Sequence, residues 1–248
     1  MRNAWTIACK EFRTYFVSPV AYAVLCFMLL ITGLIFTLQT TRGGATTQAS
    51  MEMLAGTMIF LLILASPIIT MRLFAEEKAT GTLEILMSAP VREYEVVLGK
   101  YLGALSFYVI LLGGMLEFPL LITVLTRTTA NEWPEFLPML VAYVGLLLCG
   151  ATFISIGVLA SSLTRSQIGA GFMALTMLLV FWLIGFFGGG GMTGTGATNQ
   201  VLQQLSIYEH MGQFERGLLP LKSVVYYLSA IIFFLFASVR SLESTRWR

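Results

Sequence analysis

The chain has 248 residues, of which 57% are apolar and 11% charged. A soluble domain carries about 25% charged residues, so this composition excludes a water-soluble globule and indicates an integral membrane protein. All 13 acids are Glu, and the net charge of +2 points to no nucleic-acid partner.

Residues 1–17 form the first predicted element. A helical wheel groups Trp5, Ala8, Phe12 and Phe16 on one face, with Arg2, Lys10 and Arg13 on an adjoining stripe. This is the pattern of an interfacial helix with aromatics among the lipid headgroups and cations towards anionic lipid. Pro19 then bends the chain into an apolar run, Ser18–Leu38. That run is too long for a cleaved signal peptide, and a charged segment precedes it.

Further uncharged runs cover Met53–Met71, Tyr101–Thr126 (interrupted by Glu117), Phe136–Thr164, Ser166–Gly188 and Ser223–Val239. Each matches the roughly 20 residues that cross a bilayer, so six transmembrane helices are expected in one all-α domain, 1–248. The glycine-rich stretch before Leu219 is too polar for hydrocarbon, where unpaired backbone groups are costly. Residues 201–222 alternate apolar and polar side chains and read as short outer helices ahead of span six, with the lone His210 on the surface. With the amino terminus inside, cytoplasmic segments hold eleven Lys and Arg and outer segments four. The positive-inside rule therefore places both termini and the loop 72–100 in the cytoplasm.

Absences narrow the function. No GxxxxGK[ST] loop is present, so the chain is not expected to hydrolyse ATP. No His/Cys/carboxylate cluster has metal-ligand spacing, so neither a metal nor a catalytic residue is assigned. Cys9, Cys26 and Cys149 lack paired spacing and read as buried free thiols. Glu117 is the one acid inside a span. It is either a functional intramembrane polar site or a protonated carboxyl bonded to a neighbouring helix beside a kink at Pro119.

The loop 72–100 is longer than a turn between helices requires. Glu76 and Glu77 extend span two into water, Gly81 breaks that helix, and Thr82 can cap a new one with Glu84 in its first turn. Leu83, Ile85, Leu86 and Met87 make this short helix largely apolar, and Pro90 follows its end. Such a surface either folds back on the bundle or docks on a partner.

The order Glu77…Gly81-Thr82-Leu83-Glu84…Leu86…Pro90…Leu98-Gly99-Lys100 resembles the signature of ABC type-2 transporter permeases. Lys10-Glu11-Phe12-Arg13…Ser18-Pro19 and Val239-Arg240-Ser241-Leu242-Glu243-Ser244 are similar to the gliding-motility-associated permease branch. The resemblance implies a permease whose coupling helix, about Thr82–Ala89, meets two copies of a cytoplasmic ATP-binding subunit. It also implies a second permease, identical or related, which in this branch often carries a large extracytoplasmic domain. ATP and Mg would bind that ATPase and no cofactor this chain. The setting implied is a bacterial inner membrane, with membrane lipid around the helices, for export or force transmission. Glu77 and Glu84 would fix the loop against the ATPase or against the interface helix (Trp5, Lys10, Glu11, Phe12, Arg13). The alternative is an ion-coupled secondary carrier that protonates Glu117.

Overall fold

The computed structural model describes the backbone of residues 2–41, 47–83, 86, 91–121, 124, 136–189 and 206–246. Helix α1 covers Arg2–Val17, α2 Pro19–Thr41, α3 Thr47–Thr70 and α4 Arg72–Thr80. After them come α5 (Glu93–Gly114), α6 (Phe136–Leu163), α7 (Gln167–Gly189), α8 (Ile207–Glu215) and α9 (Leu221–Arg246). The described residues contain no strand, and six helical stretches are long and apolar enough to cross a membrane. The fold is all-α.

Spans two and three extend past their apolar runs on the side of the loop 72–100. Helix α3 passes into α4 through Met71, so one apolar rod reaches from Leu54 to Thr80. Helix α5 begins at Glu93, where the run of uncharged residues begins only at Tyr101. Glu95 explains that early start: its carboxylate accepts the backbone N–H of Arg92 at 3.3 Å and places a negative charge at the positive end of the helix.

Helix α6 is the axis of the bundle. It packs against α3, α4, α5, α7, α8 and α9, and residues 149–162 are buried on every face. A helix buried all round must be apolar all round, and in lipid it is small side chains that let neighbours come close. Here these are Gly150, Ala151, Gly157, Ala160 and Ser161. A methyl at Gly150 would lie 2.2 Å from the ring of Tyr108, and one at Gly145 would lie 2.7 Å from Phe214. Helices α2, α7 and α9 are mostly exposed on the bundle's outside, where apolar side chains such as Phe27, Phe172 and Ile232 meet lipid.

Three expectations change. Cys149 is buried, but Cys9 and Cys26 are exposed on helix surfaces. His210 is buried: α8 tucks under α6 and α7, so the ring stacks on Tyr226 at 4.3 Å and its Nδ1 lies 2.8 Å from the Ser223 hydroxyl. The break in α5 falls at Met115 and Leu116, one turn before Pro119. Proline has no N–H to give the Met115 carbonyl, and the Tyr143 hydroxyl donates to that oxygen at 2.8 Å instead. Glu117 follows the break and is exposed on the bundle's outer surface.

Candidate functional site

The residues that the sequence singles out gather where α1, α4 and the start of α5 meet. Helix α1 lies along α5 because Gly99 and Gly103, one turn apart, leave it room. A methyl at Gly99 would sit 2.8 Å from the Ala4 carbonyl oxygen, and one at Gly103 would sit 2.6 Å from Glu11 Cβ. The face of α1 turned to the protein is therefore Ala4, Ile7, Ala8, Glu11 and Tyr15. Of the expected aromatic face, Ala8 is buried and Trp5 is 68% exposed, while Phe12 packs on Phe16 with ring centres 4.9 Å apart. Lys10 and Arg13 are exposed. The backbone of Ala4 and Ala8 and the side chains of Ile7 and Glu11 meet the glycines, while Trp5 turns outward.

Lys100 stands between those two glycines, and its side chain is only 1% exposed. Its Nζ reaches Glu11 Oε1 of α1 at 2.9 Å and Glu77 Oε1 of α4 at 2.8 Å. Lys10 Nζ lies 4.0 Å from the same Glu77 oxygen. The four groups carry two positive and two negative charges, so the cluster is neutral as a whole. Below it, Lys100 sits 5.3 Å from the centre of the Phe74 ring. An ammonium this buried is tolerated only with such partners, since an isolated charge would cost several kcal/mol. Glu77 Oε2 is buried and accepts no hydrogen bond in the structure.

Tyr15 adds a second tie. Its ring stacks on Phe107 of α5 at 4.9 Å, and its hydroxyl donates to the Ile69 carbonyl at 2.7 Å. The junction of α3 and α4 is tied in turn to α6. Met71 offers α4 no side-chain cap, so the first N–H groups of that helix need outside partners. The Ser161 hydroxyl accepts from Phe74 N at 3.0 Å and Ala75 N at 3.1 Å, and donates to the Met71 carbonyl at 3.2 Å. Near the far end of α4, Lys78 donates to the Ser162 carbonyl, to which Ser241 of α9 also donates at 3.3 Å.

The expected coupling residues are placed as follows. Glu76 is exposed, and Glu77 is the paired acid described above. Gly81 ends α4 in the left-handed region at φ 73°, where a side chain would be strained. Thr82 helps to close the end of α4: its hydroxyl donates to the Glu77 carbonyl at 3.4 Å and lies 2.9 Å from that of Thr80. Leu83 is buried in this chain's own core and Leu86 packs half-buried against it. Glu84 and Pro90 lie outside the described residues, as does most of the expected helix Thr82–Ala89. Sequence reasoning missed Lys100 and Ser161 as organisers. A lone lysine entering an apolar run between two glycines was the available signal for the first; Ser161 carried none.

No curated protein matches the chain. A family model described as ABC-2 family transporter protein matches residues 5–232, from the interface helix to the last span. With six membrane-capable helices and a family match over nearly its whole length, the chain is a multi-pass membrane protein that belongs to the ABC-2 transporter family, as a permease.

Proposed function

We propose that this permease takes its energy from a separate cytoplasmic ATP-binding subunit, present in two copies, and that the loop after α4 receives the motion. The observation that supports this reading is the Lys100 cluster. It joins α1, α4 and α5 into one body, so a push on the end of α4 is delivered to two spans and the interface helix together. A soft joint there would dissipate the stroke within the loop. In this reading Glu77 binds its own interface helix, leaving Glu76, Gly81 and Thr82 at the surface for the motor.

The setting is the inner membrane of a bacterium with both termini cytoplasmic, on the eleven-to-four distribution of cations. The terminal motifs favour the gliding-motility-associated branch. A second permease, identical or related, completes the path or transmits force to an extracytoplasmic domain of its own. ATP and Mg bind the ATPase.

The test is copurification in mild detergent of the ATPase and membrane chains with this permease. Thr82→Trp is exposed and leaves the core intact. It is expected to weaken retention of the ATPase about tenfold, corresponding to about 1.4 kcal/mol. Unchanged retention together with unchanged ATP-driven activity would refute the docking surface. Glu117→Gln separates this reading from an ion-coupled carrier. Coupling carboxylates face the bundle interior, whereas Glu117 is exposed on its outside. ATP-driven activity in vesicles is therefore expected to stay within about twofold of wild type, a change worth less than about 0.5 kcal/mol. Loss of a proton-driven uptake that needs no ATP would establish the carrier instead.

A further inference from the structure

A cavity of about 680 Å³ opens between α1, α2 and the α3–α4 rod, beside the Lys100 cluster. Its lining changes character along its length. At one end are Val20, Ala21, Val24, Ile68 and Ile69; at the other are Lys10, Glu76, Glu77, Thr80 and Thr82, with Arg72 at the boundary. From Ile68 to Thr82 the wall runs about 20 Å at 1.5 Å per residue. The apolar end is formed by the start of span one and the last turn of α3 in span two, so the gradient runs from hydrocarbon towards water. This volume suits a small amphiphile, or the headgroup and upper chains of a larger one whose tails remain in the bilayer.

We propose that this cavity binds a phospholipid whose headgroup ends in a primary ammonium, of the phosphatidylethanolamine class. The charges are ordered for it. Arg72, whose guanidinium donates to the Ser18 hydroxyl at 3.3 Å, stands at the apolar boundary, where the phosphate of a bilayer lipid sits. One helical turn further from the membrane stands Glu76, with Glu77 beside it. Side chains four apart on a helix have their Cβ atoms about 5–6 Å apart, a gap that the two-carbon link between phosphate and ammonium spans. Glu77 lines the same end of the cavity, but its Oε1 is held by Lys100 at 2.8 Å and its Oε2 is buried, so the exposed acceptor for the ammonium is Glu76. An anionic headgroup gains at Arg72 but meets the Glu76 carboxylate above it, whereas Glu77 is already neutralised by Lys100 and Lys10. Arg72 also faces an adjoining cavity of about 770 Å³ whose other cations are Lys10 and Arg13, with no acid in its lining. Phosphate alone does not discriminate; the Glu76 carboxylate selects the ammonium.

Binding requires neither ATP nor an ATPase subunit, so its failure would leave the coupling reading untouched. The experiment uses the full chain purified in detergent, incubated with short-chain phosphatidylethanolamine or phosphatidylglycerol. Retained lipid is read by native mass spectrometry. Glu76 and Arg72 are both exposed, so Glu76→Gln and Arg72→Gln are expected to keep the wild-type unfolding temperature. Glu76→Gln should lower phosphatidylethanolamine retention about tenfold, as loss of a charge-assisted contact does, without lowering phosphatidylglycerol retention. Arg72→Gln should lower both. Unaltered phosphatidylethanolamine retention in Glu76→Gln, or an equal fall for the two lipids in that variant, overturns the proposal.

Discussion

Lys100→Met is expected to lower the stability of the detergent-solubilised chain by about 3–5 kcal/mol, a larger loss than crowding at any helix-contact glycine should produce. The ammonium is 1% exposed, and its removal leaves Glu11 and Glu77 facing each other with only the distant Lys10 to offset them. The loss comes from those stranded carboxylates more than from any net favourable energy of the pairs, because a buried ion pair about breaks even against well-packed apolar side chains. The triple variant Lys100→Met, Glu11→Gln, Glu77→Gln is therefore expected to recover most of the loss, since no buried charge remains. Lys100→Arg should fall between them: the charge is kept, but a planar fork replaces a compact ammonium in a space closed by Gly99, Gly103 and Phe74. Unfolding temperature gives the first readout, and protease sensitivity of the amino-terminal segment the second, because α1 is the element that the cluster holds down. A Lys100→Met protein within about 0.5 kcal/mol of wild type, the range of ordinary surface changes, would show that the cluster holds nothing.

What was legible in the sequence follows from where each signal resides. The spans were readable because a bilayer demands long uncharged runs, and that demand is local to each segment. The interface helix was readable as an element, but the face that it turns to the protein was not. Trp5 is the bulkiest apolar side chain on it, yet at a membrane surface bulk need not turn towards protein, and Trp5 is 68% exposed. The contact goes to Ala4, Ile7, Ala8 and Glu11 because the opposing surface of α5 is two glycines, and that complementarity lies in another helix. His210 was misread for the same reason. A histidine in a polar segment looks exposed until Ser223 and Tyr226, both on the following helix, supply a partner and a stacking face. Glu11 and Glu77 could be singled out from motif order. Lys100 stands in the same motif order, but its pairing with both could not be read, because 89 residues of chain separate Glu11 from Lys100.

Gly157→Ala is expected to be the second most damaging change, at about 1–3 kcal/mol from overpacking. Its new methyl would lie 2.1 Å from Thr70 Oγ1 and 2.8 Å from Thr70 Cβ, so α3 and α6 must move apart where α3 gives way to α4. Thr70 cannot simply rotate away. It is fully buried, and its hydroxyl is held to the Ser66 carbonyl at 2.8 Å. The displacement reaches Ser161, one turn further along α6, whose hydroxyl joins Phe74, Ala75 and Met71 at 3.0–3.2 Å. Pulling that oxygen back strands two N–H groups at the start of α4, so the steric fault also loosens the rod that runs from span two to the loop. Two further variants separate these effects. Ser161→Ala removes the acceptor without any clash and should impair ATP-coupled activity with a stability loss of about 1–3 kcal/mol, as for buried donors left unpaired. Thr70→Ala in the Gly157→Ala background removes Oγ1 and Cγ2 but leaves Cβ, and should restore stability in part. A Gly157→Ala protein with wild-type unfolding temperature would mean that the helices separate there freely. The Ser161 cap would then be an ornament of the junction rather than its fastening.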